Sequence, residues 1–428
     1  MREVTLFSGL LVLGLFGSQW LPLAFGEVYP TVSRALLLLT MITLALIMIH
    51  VGYEFELEKS NLRQHGWDYL VAFTAASFPW LFVTFYFVYV MLPPEFWTSW
   101  EAWKETLLVG RFASRTSAGV LFSMLAAAGL SATWLFRKAR ILAIFDDLDT
   151  VLLMVPLQML IIGWAWQLSV AAVIMISLLA AAYTWLHRVE LPTSWPWVMT
   201  YAVAITVVSE LIYLASKTFD ERATIHIDVL LPAFVVGCLM KRPLGCDPHC
   251  DDAREGHQEG PESAIEQKVS TIVSAFFMVL VGLSLPSIFA GDGPSHAIEG
   301  TLQAQTVTAS QPPLEWGTLI VHVLLVTLLA NLGKMVPAFS YRQKAHWHER
   351  LALAISMWPR GEVGAGILVI SLSYGIGGPV LTVAMLSLAL NLLLTGLFIL
   401  IVKKLMQTHP ITVVYPHLVE RGDIGLLK

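Results

Sequence analysis

Apolar runs of membrane-spanning length recur from the first residues of this chain to Lys403, and they leave it few ways to fold. A backbone crossing hydrocarbon has no water to bond to, so each run of roughly 20 residues must close its hydrogen bonds within itself as a helix. Twelve runs fit, near residues 5–25, 32–53, 67–91, 107–130, 138–163, 167–186, 195–215, 224–240, 267–288, 316–340, 349–373 and 379–402. A chain of 428 residues could hold two or three soluble domains, but with 56% hydrophobic and 13% charged residues spread throughout, there is no room for one. The expected fold is an all-α polytopic membrane protein of about twelve, or thirteen, transmembrane helices, a single domain over residues 1–428 with short loops.

Charge placement orients the helices. With a cytosolic amino terminus, the inner loops hold Lys59, Arg63, Arg137, Lys138, Arg140, Arg188, Lys241, Arg242, Arg254 and Lys268, then Arg342, Lys344, Arg350, Lys403 and Lys404. The opposite connections near 164–166, 289–315 and 374–378 contain no Lys or Arg, which is the asymmetry expected of cytoplasmic and outer loops. Both termini are therefore expected in the cytosol, with residues 241–268 a cytosolic loop and 404–428 a short cytosolic tail. Lys104, Arg111, Lys217 and Arg222 run against the pattern. The scattered bases and net charge of −5 make no nucleic-acid surface. Cys238, Cys246 and Cys250 are too few for a disulfide framework. The run from Met1 through Phe25 is long enough, with Trp20 suited to an interface, to be a retained helix rather than a cleaved signal.

Against this background FDDLDT places Asp146 and Asp147 side by side, with Asp149 just beyond. Ionised carboxylates are costly inside a bilayer, so they normally face a protein interior or a watery cavity and serve a function there. Adjacent acids suit a group that binds and releases cations or protons. Lys334 and Arg360 also fall inside spans. Lys334 lies eight residues from Arg342 and Asp146 eight from Lys138, each counted from a cytosolic helix end. At ~1.5 Å per residue both sit roughly 12 Å deep, which makes them candidates for mutual neutralisation. The alternative for Lys334 is to snorkel its ammonium to the headgroups.

Two spans are interrupted. The fourth reads RFASRTSAGVLFSML, with Ser114, Arg115, Thr116, Ser117 and Gly119 in the apolar run; the eleventh reads SMWPRGEVGAGIL, with Pro359 and three glycines. Proline removes a backbone hydrogen bond and glycine tolerates unwinding, so each can be two half-helices around an irregular centre. Spans four and eleven are seven apart and run in opposite directions, as an inverted repeat of spans three to five against ten to twelve demands. Paired, interrupted segments of this kind mark a transporter's midplane site. Successive helical positions point about 100° apart, so one aspartate is expected to meet the broken helices and the other Lys334.

On these motifs the chain resembles the bacterial monovalent cation:proton antiporters, in the sodium/proton exchanger branch related to potassium-efflux antiporters. MIHVGYEFELEKSNL, TSAGVLFSMLAAAGL, ARILAIFDDLDTVLL, IHIDVLLPAFVVGCLM, FFMVLVGLSLP, LGKMVPA and MWPRGEVGAGI stand in the family's order over nearly the whole chain. The resemblance implies that Asp147 is the main cation and proton site, that Asp146 partners Lys334, and that Thr116 and Ser117 form the polar centre of the fourth helix. Arg360 and Glu362 would balance half-helix dipoles and nearby carboxylates. It implies core helices over about 67–163 and 316–402, with the rest on a homodimer side. It also implies exchange of sodium, or lithium, for protons by alternating access in a bacterial inner membrane, serving pH homeostasis, without cofactor or enzyme activity. Release of a proton from both Asp147 and Lys334 per sodium would make exchange electrogenic. Potassium/proton exchange and ion-coupled solute uptake fit the same scaffold. Arg115, where the family has a small residue, and Asp149, an extra acid, depart from the pattern; Asp149 is either a further cation ligand or a structural contact.

Other residues carry weaker signals. Glu210 is expected on the dimer side or against Lys217. Cys246, His249, Cys250, Asp251, Asp252 and His257 lack a standard zinc spacing and read as a solvated linker. His346 and His348 titrate in the range of a pH sensor. HERLA lacks the second histidine of a zinc protease helix, and GDG at 291–293 lies in an outer loop, away from any second acid of a membrane aspartyl protease. A receptor would need an output domain larger than the tail after Lys404, which is also too short for a nucleotide-binding domain.

Overall fold

A computed structural model describes residues 2–53, 62–131, 133–162, 166–185, 188–219, 229–241, 264–283 and 306–407, and among them it is all-helical apart from one isolated bridge between Val189 and Met240. The first three spans are α1 (Arg2–Phe25), α2 (Tyr29–Tyr53) and α3 (Leu62–Tyr86), the last extended by a π-turn over Phe87–Met91. The fourth is split into α4 (Trp100–Gly110) and α5 (Ala118–Ala127). Then come α6 (Trp134–Ile162), α7 (Trp166–Thr184), α8 (Trp195–Phe219), α9 (Leu230–Leu239) and α10 (Ala264–Leu283). The tenth span holds α11 (Trp316–Gly333) and α12 (Val336–Ser340), the eleventh α13 (Trp347–Ser356) and α14 (Glu362–Ser373), and α15 (Gly378–Gln407) ends the series. All twelve apolar runs thus contain helix. Six stretches, in α1, α2, α3, α8, α11–α12 and α15, are long and apolar enough to cross a membrane unaided.

Three details differ from expectation. The fourth span starts at Trp100, not near 107, because Ser99 caps the polar first turn by accepting from Ala102 N at 3.5 Å. The tenth is itself interrupted: Lys334 is the C-cap of α11, and Pro337 opens the short α12. Gly333 sits there because a Cβ would meet Pro79 of α3 at 2.5 Å. Lys138, read as a loop base, is buried in the second turn of α6. The cysteine- and histidine-bearing stretch 246–257, the GDG segment and the tail beyond Gln407 lie outside the described residues.

Helices α3, α4, α6, α11, α13, α14 and α15 pack on one another, while α1 packs along α10, and α2 along α9, α8 and α10. The second group is closely meshed. A Cβ on Gly14 or Gly282 would strike the facing backbone between α1 and α10, and one on Gly52 or Gly237 would do so between α2 and α9. The two groups meet where α1 lies against α15 and where α5 touches α1, α2 and α10. Ser123 of α5 donates there to Ser274 of α10 at 3.1 Å.

Each half-helix has identifiable ends. Ser117 caps α5, its hydroxyl accepting from Val120 N at 3.4 Å. His346 caps α13 in a reciprocal box with Glu349, whose carboxylate takes His346 N at 2.9 Å, and the His346 ring stacks on His348 at 5.6 Å. At the far end of α14 the chain turns at Gly378, whose φ of +71° suits only glycine and whose missing side chain admits the Thr308 carbonyl. That turn segment is held on α4 by Glu105, which accepts from Val307 N at 3.0 Å and from the Thr308 amide and hydroxyl, each at 2.8 Å.

Candidate ion site at the helix crossing

The interruptions in spans four and eleven leave main-chain groups without helical partners, and buried groups of that kind need others. The two breaks supply them to each other. Ser117 N donates to Pro359 O at 3.0 Å, and the Thr116 hydroxyl to Met357 O at 3.0 Å. Gly361 permits this closeness, since a Cβ there would meet the Ser117 hydroxyl at 2.9 Å. Thr116 is fully buried, Ser117 nearly so.

Asp146 of α6 joins this crossing. Its Oδ2 accepts from Thr116 N at 2.8 Å and from Lys334 Nζ at 2.8 Å, and Lys334 Nζ also donates to the Thr116 hydroxyl at 2.8 Å. Asp146 and Lys334 are 1% and 0% exposed, so the lysine points into the protein rather than snorkelling outward. One aspartate therefore meets both the broken helix and the lysine, where separate partners for Asp146 and Asp147 were expected. The reason is that Lys334 itself bonds to the break. Asp147 follows in α6; its side chain, like that of Glu362, lies outside the described residues.

Arg360 is buried in the second break, and its charge is met by dipoles. Nε donates to Ala113 O at 3.0 Å, Nη1 to Asn331 Oδ1 at 2.7 Å and Nη2 to Ala330 O at 2.8 Å. Ala113 ends the 3-10 turn just before the first break, and Ala330 and Asn331 lie in the last turn of α11. The guanidinium thus serves carbonyl-rich ends of two helices, where negative partial charge accumulates.

Asp149, one turn beyond Asp146, is 1% exposed and lies beside the Tyr69 phenol of α3. Its main-chain carbonyl accepts from Arg111 Nη2 at 3.2 Å, and the Arg111 guanidinium lies 4.6 Å over the Trp80 ring. Arg111, counted as an exception to the charge rule, is in fact fully buried beside the first break, and Arg115 is 5% exposed. Glu210 faces Arg34 of α2 at 3.9 Å; the Lys217 side chain is not among those described. No cluster of three or more potential metal ligands of the His, Cys, Asp and Glu type occurs among the described residues.

Sequence reasoning missed two groups. One is the amide pair Asn331 and Asn391, bonded at 3.0 Å. The other is a second buried ion pair, Lys138 Nζ to Asp68 Oδ2 at 2.6 Å, with the Tyr341 hydroxyl donating to Asp68 Oδ1 at 2.8 Å. Asp68 of the WDYL segment carried the only signal for the latter, a carboxylate at the start of a span.

Among solved structures the chain is similar to the sodium proton antiporter MjNhaP1 from Methanocaldococcus jannaschii at pH 8, with a TM-score of 0.52, 14% identity and 91% of each chain covered. At that identity the likeness establishes the fold alone. A search of curated protein sequences gave no match. Residues 3–404 match the family model described as "Sodium/hydrogen exchanger, transmembrane", so the chain belongs to the sodium/hydrogen exchanger family, whose members are membrane-embedded cation/proton antiporters and not enzymes.

Proposed function

We propose that this antiporter exchanges sodium, with lithium as an accepted substitute, for protons, and that it does so electrogenically. The observation that carries the reading is the buried Asp146–Lys334 pair at the crossing, whose ammonium also bonds Thr116. A cation held by Asp147 at the adjacent position draws the Asp146 carboxylate from Lys334, and protons arriving from the other side restore the pair. Cation and protons therefore compete for one coupled group of carboxylates and ammonium. With one proton from Asp147 and one from Lys334 per sodium, one net charge crosses in each cycle. At 100 mV that is worth ~2.3 kcal/mol, or roughly a fifty-fold steeper cation gradient.

The charge asymmetry of the loops supports cytosolic termini, and the reading includes a homodimer through the helices outside the core group. A bacterial inner membrane and a role in pH homeostasis complete the reading. The test uses purified protein in proteoliposomes carrying a pH gradient, challenged in turn with sodium, lithium, potassium and an organic solute. Proton release on sodium and lithium addition, accelerated by an imposed voltage, is expected. A response to potassium or the organic solute alone rejects the cation assignment, and equal rates with and without voltage reject the electrogenic one.

A further inference from the structure

The two repeats treat their breaks alike. In the first, Asp146 of α6 accepts from the break's main-chain Thr116 N at 2.8 Å, 30 residues upstream. In the second, Asn391 of α15 accepts from the break's main-chain Arg360 N at 3.2 Å, 31 residues upstream. Asn391 is thus the second repeat's counterpart of Asp146, with a neutral amide in place of the acid. Its Nδ2 donates to Asn331 Oδ1 at 3.0 Å, and the same oxygen takes Arg360 Nη1 at 2.7 Å. Both amides are buried, and this bonding fixes which way each one points.

The network ends on Lys334. Lys334 N donates to Asn331 O at 3.1 Å, so the residue that receives Arg360 also carries the turn from which the lysine projects. Arg360 holds that turn at two successive residues, Ala330 and Asn331, and by Nε holds Ala113, three residues before Thr116. One guanidinium, oriented by two amides, fixes the distance between the lysine's helix end and the break to which the lysine bonds. We propose that Asn331 and Asn391 are positioning residues of the ion site, holding Lys334 on Asp146 by way of Arg360. The inference rests on the exchange reading above, in which Lys334 and the cation compete for Asp146.

That competition gives the test a sign. A weaker hold by Lys334 makes the cation the stronger competitor, so loss of the network lowers the cation KM, whereas general damage to the protein lowers the maximal rate and leaves KM unchanged or raises it. In proteoliposomes, Asn331→Leu, which preserves volume and deletes the acceptor, should lower the sodium KM by about tenfold, the order expected for one lost hydrogen bond to a charged group. Asn391→Ala should shift it the same way. Asn331→Asp, which keeps an oxygen for both donors, should return KM to within about threefold of the wild type. Sodium-dependent thermal stabilisation of each purified variant reads the same affinity without transport. An unchanged or raised KM in both Asn331→Leu and Asn391→Ala, with proton release on sodium addition intact in the wild type, overturns the positioning role and leaves the exchange standing. Absence of sodium-evoked proton movement in the wild type removes the exchange and the inference with it.

Discussion

The Asp68–Lys138 pair allows a prediction about stability whose size follows from the structure. Both side chains are withdrawn from solvent, at 0% and 7% exposure, with 2.6 Å between charged atoms. Asp68→Asn leaves the Lys138 ammonium with an uncharged amide oxygen and the face of the Tyr341 ring, 5.5 Å away, in place of a carboxylate. Removing one partner of a buried pair costs about 3–5 kcal/mol, because the survivor's charge is left uncompensated. Lys138→Met should cost less, since Asp68 retains the Tyr341 hydroxyl. The double substitution removes both charges and should recover to within about 1–2 kcal/mol of the parent. With a melting entropy of roughly 2.1 cal/mol/K per residue, 428 residues give ~0.9 kcal/mol/K, so Asp68→Asn should lower the midpoint by about 3–6 °C. Tryptophan fluorescence of detergent-purified protein on heating measures this. A shift under about 1 °C for Asp68→Asn, or a double variant no better than the worse single, refutes the view that these charges hold each other in the interior.

Further expectations follow from other contacts. Asp146→Asn leaves Lys334 bonded to the Thr116 hydroxyl without its carboxylate and should abolish sodium-evoked proton release in proteoliposomes while the protein still folds. Glu105→Gln weakens three bonds to the 307–308 turn, at about 1.5–3 kcal/mol for a charged acceptor, and hydrogen-exchange mass spectrometry should show the Val307 and Thr308 amides exchanging faster than the helix cores. Gly282→Ala drives a methyl into the α1 backbone near Leu15 N, 2.6 Å away, and should lower the thermal midpoint through about 1–3 kcal/mol of overpacking. On the surface, Lys241 at 2.5 Å holds the Glu190 carboxyl below its usual range. A depressed carboxyl contributes stability above its unfolded pKa and loses it as pH falls through the folded value, so Glu190→Gln should differ from the parent in thermal scans near neutrality and converge with it in acid.

Hydropathy located the helices because it reports how far along a membrane normal each residue sits. The breaks were legible for the same reason: Thr116, Ser117, Pro359 and Arg360 are polar or helix-breaking residues where apolar helix formers belong. The depth match of Asp146 and Lys334 also came from counting along two helices. Which way a side chain faces around its helix depends on tertiary packing, and there the sequence was silent. Lys138 looked like a loop charge and Asp68 drew no notice, although they meet in the interior. Asn331 and Asn391, uncharged and each among leucines and alanines, gave no sign that Arg360 would be served by amides and carbonyls. Asp149 was conspicuous by charge, yet its Tyr69 contact required the packing of α3 on α6.

The bonds from Ser117 to Pro359 and from Thr116 to Met357 have a mechanical consequence. Each break completes the other's backbone, so neither can straighten or slide alone without exposing bare amides and carbonyls in a buried place. On the exchange reading proposed above, the crossing therefore travels as one stiff cargo hold, and the yielding surfaces are its outer walls, where α15 lies against α1 and α5 against α1, α2 and α10. Lesions inside the hold should alter which ions are carried and how tightly. Lesions along the walls, such as at Ser123 and Ser274, should alter how fast the hold moves.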